Sequence, residues 1–130
     1  MKFLLDTCSL IWAIAEPDEL SKAAKLALQD KSSEILVSPM SCAEIACLVD
    51  RKKITLNQHW KIWFRKYVEQ NQWELIPVDL PIIEEAYCLP GEFHKDPVDR
   101  ILVSTSRLHQ AVLLTADRKI LDYPHVDSKW

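Results

Sequence analysis

Four short runs of apolar residues constrain the fold of this 130-residue chain more than any other feature. Unbroken apolar runs are typical of strands buried on both faces, and stretches with helical periodicity separate them here. The alternation predicts an α/β fold in a single domain, 1–130, with a central parallel sheet between layers of helices. The runs are Phe3-Leu4-Leu5, Ile35-Leu36-Val37, Leu75-Ile76 with Val78, and Val112-Leu113-Leu114.

Polar residues that can cap a helix predict where the intervening helices begin. We expect a first helix near residues 10–15, and a last strand at 123–126. The other helices are predicted at 22–30, 42–50, 58–71, 80–88 and 97–110, with Ser21, Ser41, Asn57, Asp79 and Asp96 as their caps.

Composition excludes several classes of protein. A chain with 48% hydrophobic residues is not disordered, and it contains no apolar stretch near the ~20 residues that cross a bilayer. The four cysteines form no CxxC pair, which favours buried thiols in a reducing cytosol, so we expect a cytoplasmic protein. The single glycine, Gly91, argues against the glycine-rich loops that bind nucleotide phosphates.

Carboxylates from distant parts of the chain are predicted to converge. In a parallel sheet with crossover helices, the carboxyl ends of the strands and the starts of the helices share one edge. Asp6 ends the first strand and Asp117 follows the fourth run, whereas Glu44 and Asp99 fall in the first turns of predicted helices. Four carboxylates therefore meet at one edge, with Asp96 as a candidate fifth.

Such a cluster favours a bound cation, because close carboxylates repel one another and no Lys or Arg is placed among all four. Mg²⁺ or Mn²⁺ suits a few carboxylates that leave several waters on the metal. A metal held in this way lowers the pKa of bound water and stabilises charge on a phosphate. The sequence predicts a metal-dependent phosphoryl-transfer site.

Each acid also has a purely structural interpretation. Ser41 with Glu44 matches a capping box, Asp96-Pro97-Val98-Asp99 matches a helix start, and Asp117 could hold a turn. Asp6 shows no capping pattern, so it is the acid that a structural role explains least well.

Segments spread along the chain share their order and spacing with a known family. They are Phe3-Leu4-Leu5-Asp6-Thr7 with Leu10-Ile11-Trp12, Val37-Ser38 with Ala43-Glu44-Ile45, Leu89-Pro90 with His94-Lys95-Asp96-Pro97-Val98-Asp99-Arg100-Ile101-Leu102, and Leu113-Leu114-Thr115-Ala116-Asp117. These segments resemble the PIN-domain ribonucleases, and within them the VapC-like toxins of toxin–antitoxin pairs.

The resemblance implies a PIN-like three-layer α/β/α sandwich with Mg²⁺ or Mn²⁺ as cofactor. It also implies endoribonuclease activity on RNA and a small antitoxin that neutralises the toxin. The family's acidic quartet falls on Asp6, Glu44, Asp99 and Asp117, the residues that the predicted topology already brings together.

Further residues are predicted beside the acidic quartet. Thr115 matches a position beside the metal that is often Ser or Thr, and Thr7 and Asp96 are predicted to support the site. Cys8 departs from the pattern, because relatives often carry His, Asn or Ser there, which puts a supporting contact at this position in question.

Basic residues must supply any affinity for RNA locally, because the net charge of −3 is unusual for a nucleic-acid binder. We predict RNA contacts from Arg100, Arg118 and the run Arg51-Lys52-Lys53. The alternative is that these side chains are solvated surface charges.

An aromatic stripe of Trp60, Trp63 and Tyr67 follows helical spacing. Core packing explains such a stripe, and so does a partner surface that receives an antitoxin helix or a second copy of the chain. Stacking of RNA bases on these rings is a third interpretation, which would need the rings exposed beside a basic groove.

Other functions fit the sequence less well. A phosphoacceptor receiver domain would need a paired acid at the first strand and a Lys after Thr115, and a haloacid-dehalogenase phosphatase would need Asp-x-Asp at Asp6. A catalytically silent PIN domain that binds RNA or protein remains the alternative to a nuclease.

Overall fold

The computed structural model describes the whole chain, Met1–Trp130. A short 3₁₀ helix at Pro17–Glu19 follows the first α-helix. The strands are β1 (Lys2–Leu5), β2 (Glu34–Val37), β3 (Glu74–Leu75), β4 (Val112–Leu114) and β5 (Ser128–Lys129). The helices are α1 (Thr7–Ala15), α2 (Lys22–Gln29), α3 (Pro39–Asp50), α4 (Trp60–Gln70), α5 (Leu80–Ala86), α6 (Pro97–Leu108) and α7 (Arg118–Leu121).

All five strands form one parallel sheet in the order β3-β2-β1-β4-β5. In the middle of the sheet, Phe3 lies opposite Ile35 on one side and Val112 on the other. The chain extends outwards from β1 through β2 and β3, then crosses to the other side of β1 with β4. Parallel sheets bind ligands where the strand order reverses in this way, and here that point lies between β1 and β4.

The central strands bury side chains on both faces, as their unbroken apolar runs predicted. Leu4, Leu36 and Leu113 face one core, which α5, α6 and α7 cover. Phe3, Leu5, Val37 and Leu114 are buried in a second core with residues of α1, α2, α3 and α4. The predicted three-layer α/β/α sandwich is therefore confirmed.

The last strand is not where the sequence predicted it. The structure places β5 at Ser128–Lys129, where the Thr115 amide donates to the Lys129 carbonyl at 3.1 Å. Residues 123–126 instead anchor a loop, because Tyr123 is buried and its hydroxyl donates to the Pro90 carbonyl at 2.5 Å. Short β-like runs at the end of a chain do not show which segment will reach a sheet edge.

Three helix starts also differ from the predictions, and the first of them is α1, which begins at Thr7 rather than near residue 10. α3 begins at Pro39 after a Ser38 cap, three residues before the expected start, and α4 begins at Trp60 after His59 rather than after Asn57. The predicted caps Ser21, Asp79 and Asp96 are confirmed. α7 was not predicted. None of the helices is both long and apolar enough to span a membrane.

Candidate active site

One pocket of about 400 Å³ at the carboxyl edge of the sheet contains every acid singled out in the sequence. Its lining includes no Lys or Arg. The lining residues follow β1 and β4 or lie in or next to α1, α3 and α6. Glu44 is the sixth residue of α3, so the prediction that it lies in the first turn of its helix is wrong. The acids in the lining are Asp6, Glu44, Asp96, Asp99 and Asp117, and the other lining residues are Thr7, Cys8, Trp12, Leu102 and Ala116.

Asp6 is the most firmly held of these acids. Its Oδ1 accepts from the Ser9 amide at 2.8 Å, and its Oδ2 accepts from the Thr115 hydroxyl at 2.5 Å. Its exposed fraction is 9%. Burial raises the pKa of Asp6, the hydrogen bonds from Ser9 and Thr115 lower it, and the net direction is upward. The carboxyl group is therefore oriented and partly desolvated.

The contact with Ser9 corrects one expectation. Asp6 is the N-cap of α1, because the helix begins at Thr7, directly after the strand. The sequence hid this cap, because the apolar run and the helix meet without an intervening turn. Asp6 consequently has a structural role as well as its place in the pocket.

Thr115 connects the two central strands at the site. Its hydroxyl donates to Asp6 and accepts from the Asp117 amide at 3.0 Å, and its side chain is fully buried. The residue therefore fixes the Asp6 carboxyl and the turn that carries Asp117 at the same time.

Asp99 differs from Asp6 in its electrostatic surroundings. Burial, followed by the charges of Asp96, Asp117 and Glu44, raises the pKa of Asp99 to about 7. A carboxyl group with such a pKa is where a cation would gain most from binding, because it would relieve repulsion among the acids.

Glu44 reaches the pocket without the predicted capping box. Since α3 begins at Pro39, Ser41 lies inside the helix and its buried hydroxyl accepts from the Thr7 hydroxyl at 3.1 Å. Ser38 caps the helix through the Met40 amide. The proposed pairing of Ser41 with Glu44 as a cap is therefore wrong, and Thr7 connects α1 to α3 instead.

Asp96 and Asp117 have the structural roles that the sequence allowed. Asp96 caps α6 by accepting from the amides of Val98 and Asp99, at 2.9 and 3.2 Å. Asp117 caps α7 by accepting from the Lys119 amide at 2.9 Å. Each cap uses one carboxylate oxygen, so each residue still has an oxygen free of these contacts.

Cys8 lies in the same pocket, but the residue is exposed overall, as are Cys47 and Cys88, so the predicted burial of the thiols is wrong for these three. Partial desolvation in the pocket and the charge of Asp6, with smaller contributions from the other acids, raise the pKa of the Cys8 thiol to about 11. The thiol therefore stays protonated at neutral pH and is a poor metal ligand there.

The predicted basic residues do not gather at the pocket. Arg118 starts α7 at the carboxyl edge, but its exposed guanidinium pairs with Asp122 at 3.1 Å. Arg51, Lys52 and Lys53 follow the far end of α3, about 10 Å along the helix axis from Glu44. Arg100 donates hydrogen bonds to three backbone carbonyls, so the structure gives it a structural role that the sequence did not suggest.

The aromatic stripe divides between core and surface. Trp63 has an exposed fraction of 3% and packs in the core with Phe64, so its assignment to a partner surface is wrong. Its ring meets Tyr67 edge-on at 5.3 Å between centroids. Trp60 and Tyr67 are half-buried at the margin of that core. Helical spacing cannot distinguish these cases, because residues three and four apart share one broad face.

His94 lies beside the pocket, and the sequence assigned it no role. Its Nε2 lies 3.1 Å from Asp99 Oδ2. Its position five residues before Asp99, outside any capping pattern, is the one sequence signal that could have singled it out.

The donors in the pocket fit a hard divalent cation. They are carboxylate and hydroxyl oxygens, which Mg²⁺ and Mn²⁺ prefer, and no lysine or arginine in the lining offsets their charge. No three His, Cys, Asp or Glu side chains of the chain form a compact metal-binding group. The fit rests on donor chemistry and on the raised pKa of Asp99.

Comparisons with known proteins agree with this geometry. The PIN domain family matches residues 3–126. Ribonuclease VapC22 from Mycobacterium tuberculosis is 30% identical over 122 residues, which cover 94% of this chain and 92% of the relative.

Two solved structures share the fold. VapBC2 from Rickettsia felis, bound to a DNA fragment from its promoter, superposes with a TM-score of 0.73 at 18% identity, covering 100% of this chain and 99% of the other. A toxin-antitoxin complex from Klebsiella pneumoniae has a TM-score of 0.66 at 22% identity, covering 98% and 95%. With the match along almost the whole sequence, the chain belongs to the PIN-domain family, in its VapC-like branch.

Proposed function

We propose that this chain, acting as a single domain, is a metal-dependent endoribonuclease and the toxin of a toxin–antitoxin pair. The observation that carries the proposal is the pocket in which Asp6, Glu44, Asp99 and Asp117 meet without a basic residue in its lining. The name of the VapC22 relative, a ribonuclease, supports RNA as the substrate.

The four acids would hold Mg²⁺ or Mn²⁺ through carboxylate oxygens. When bound, such a cation lowers the pKa of water and stabilises negative charge on a phosphodiester. The chain itself supplies orientation, because Thr115 and Ser9 fix both oxygens of Asp6 before any ligand arrives. Preorganised groups of this kind avoid reorganisation during the reaction.

Glu44 and Asp117 complete the proposed site from opposite sides of Asp6. Glu44 projects from α3, which follows β2, and Asp117 follows β4. Since β2 and β4 flank β1 on either side, the pocket receives a carboxylate from each neighbouring strand unit. Carboxylates from both neighbouring strand units would therefore hold the cation together with Asp6.

RNA contacts are proposed for Arg118 and for the exposed run Arg51-Lys52-Lys53. Arg118 is the nearer of these to the pocket, because it directly follows Asp117. The run at the end of α3 would contact a more distant part of the same RNA. Phosphate contacts of this kind make binding depend on salt concentration.

The decisive experiment is cleavage of a pool of cellular RNAs by the purified protein with Mn²⁺ or Mg²⁺, followed by sequencing of the fragment ends. We expect defined cuts that disappear in excess EDTA and in Asp6→Asn. Binding of RNA without metal-dependent cuts would instead identify a silent PIN domain that acts as a binding module.

We propose further that a small antitoxin covers this enzyme, as the toxin-antitoxin complexes among the structural neighbours suggest. A groove of about 550 Å³ lies beside α4, and Trp60, Phe64 and Val68 line it. Leu75 of the edge strand β3 also lines it and is 47% exposed. An amphipathic helix fits an apolar groove of this kind.

Charge complementarity extends the proposal from the groove to the pocket. Pro39, the first residue of α3, lines one end of the groove, and α3 starts at the same sheet edge as the acids. A basic side chain of the antitoxin could therefore reach the acidic pocket and compete with the metal.

Trp60→Ala tests the groove. We expect weaker binding of the cognate antitoxin, measured by isothermal titration, with RNA cleavage by the free enzyme unchanged. Ile62→Ala is the matched control, because Ile62 is 56% exposed on α4 outside the groove. Equal antitoxin affinity in the two variants would refute the docking surface. Trp63→Ala is unsuitable, because emptying this buried site costs about 3–5 kcal/mol of stability.

A further inference from the structure

The segment between α5 and α6 is tied together by one arginine of α6. The Arg100 guanidinium donates to the carbonyls of Phe93 at 2.8 Å, His94 at 3.0 Å and Ala86 at 3.0 Å. Its charged carbon also lies 5.7 Å from the centre of the Tyr87 ring. Three hydrogen bonds from one rigid, planar group define the path of this segment, which lacks regular secondary structure.

His94 is the residue of this segment whose side chain contacts Asp99, one of the acids of the pocket. Its Nε2 lies 3.1 Å from Asp99 Oδ2. The same nitrogen is shielded from solvent and makes no well-aligned hydrogen bond. The two atoms are thus in contact but not in line, and a small rotation of the Asp99 carboxyl, whose terminal torsion is soft, would align them.

We propose that His94 is a positioning residue for Asp99 and that Arg100 holds His94 in place. The inference rests on the proposed function, in which Asp99 contributes an oxygen to a divalent cation. With its Nε2 proton donated to Oδ2, His94 selects the orientation in which Oδ1 faces the pocket. Arg100 holds the backbone of His94 in position, and His94 in turn orients the Asp99 carboxyl group.

The arrangement parallels the support that Asp6 receives. Thr115 donates to Asp6 Oδ2, and His94 is placed to donate to Asp99 Oδ2. Carboxylates that bind metals are commonly held by such an outer hydrogen bond, and its loss costs about 10–100-fold in metal affinity. No other side chain hydrogen-bonds to the Asp99 carboxyl, so its orientation depends on His94.

The test compares His94→Phe, which keeps a ring but removes the donor, with His94→Gln, which keeps an N–H donor. We expect His94→Phe to bind Mn²⁺ about tenfold more weakly by isothermal titration and His94→Gln to recover most of the loss. The Mn²⁺ concentration for half-maximal RNA cleavage should rise in parallel, with a smaller change in the rate at saturating Mn²⁺. His109→Phe, at the far end of α6, is the matched control.

Arg100→Lys tests the second step of the proposal. A lysine keeps the charge but cannot reproduce the planar set of donors, so we expect a loss of Mn²⁺ affinity that is smaller than in His94→Phe. Thermal midpoints in EDTA close to the wild-type value would show that all variants are folded.

Two outcomes would overturn this inference alone, and a third would refute the proposed function as well. Wild-type Mn²⁺ affinity in His94→Phe would overturn the positioning role while leaving the metal site intact. An equal loss in His94→Phe and His94→Gln would also overturn it, because the donor would then be irrelevant. Failure of the wild-type protein to bind Mn²⁺ at all would refute both the inference and the function on which it rests.

Discussion

The two halves of the acidic pocket hold their carboxylates in different ways. On the strand side, Asp6 accepts two hydrogen bonds, from Ser9 and Thr115, and these partly offset the effect of burial on its pKa. On the helix side, Asp99 has one unaligned contact with His94, and burial and neighbouring acids raise its pKa to about 7. One carboxylate is therefore preorganised, whereas the other is destabilised in its charged form.

The difference has a structural cause. Asp6 ends the central strand of the sheet, where backbone groups and buried hydroxyls surround it. Asp99 lies in the first turn of α6, where Asp96 already supplies the cap and adds a further negative charge. The strand side therefore fixes the geometry of its carboxylate, and the helix side concentrates the negative charge that the proposed cation would neutralise.

Removing either charge should have the largest effect on activity. We expect Asp6→Asn and Asp99→Asn each to lower metal-dependent RNA cleavage about tenfold or more, and Glu44→Gln and Asp117→Asn also to be impaired. Each variant removes a negative charge from the side chains that would hold the proposed ion. Initial rates at fixed Mn²⁺ provide the measurement. Asp122→Asn, in an exposed pair with Arg118, should keep its activity, and an active Asp6→Asn would contradict the proposed site.

On the strand side, the hydrogen bond that orients Asp6 can be removed without changing any charge. Thr115→Val keeps the shape of the buried side chain but removes the donor to Asp6 and the acceptor for the Asp117 amide. We expect cleavage to fall about tenfold and to recover in Thr115→Ser. If valine and serine variants were equally active, the orientation of Asp6 would not depend on this hydroxyl.

On the helix side, the raised pKa of Asp99 should make the stability of the protein depend on pH. Because the folded-state pKa of Asp99 is about 7 against an ordinary value of 3.8, its protonated form is favoured by folding. That stabilisation is complete below pH ~4 and is lost as the pH rises through ~7. In EDTA, the thermal midpoint of the wild type should therefore fall across this window relative to that of Asp99→Asn. A constant difference between the two proteins would contradict the raised pKa.

A smaller effect is expected on the thermal midpoint when metal is added. Binding to the folded state alone raises the thermal midpoint by mass action. We expect Mn²⁺ or Mg²⁺ to stabilise the wild type more than Asp99→Asn, as measured by calorimetry at pH 7 to 8. Equal shifts in both proteins would exclude a metal contact from Asp99.

The local sequence pattern was sufficient to predict the architecture and the acids that line the pocket. Unbroken apolar runs identified the central strands, because residues buried on both faces must all be apolar. Parallel topology then placed Asp6 and Asp117 beside the starts of the helices that carry Glu44 and Asp99, since strand ends and helix starts share an edge. These inferences needed only the chain direction and the periodicity of the residues.

Contacts between distant parts of the chain were needed for the rest. Whether Trp63 or Trp60 faces solvent depends on which layer covers α4, and periodicity is the same in both cases. The location of β5 depends on pairing with β4, and the role of Arg100 depends on carbonyls up to 14 residues away. The unequal environments of Asp6 and Asp99 arise from burial and neighbouring charges, which are summed over the folded molecule and are absent from any local pattern.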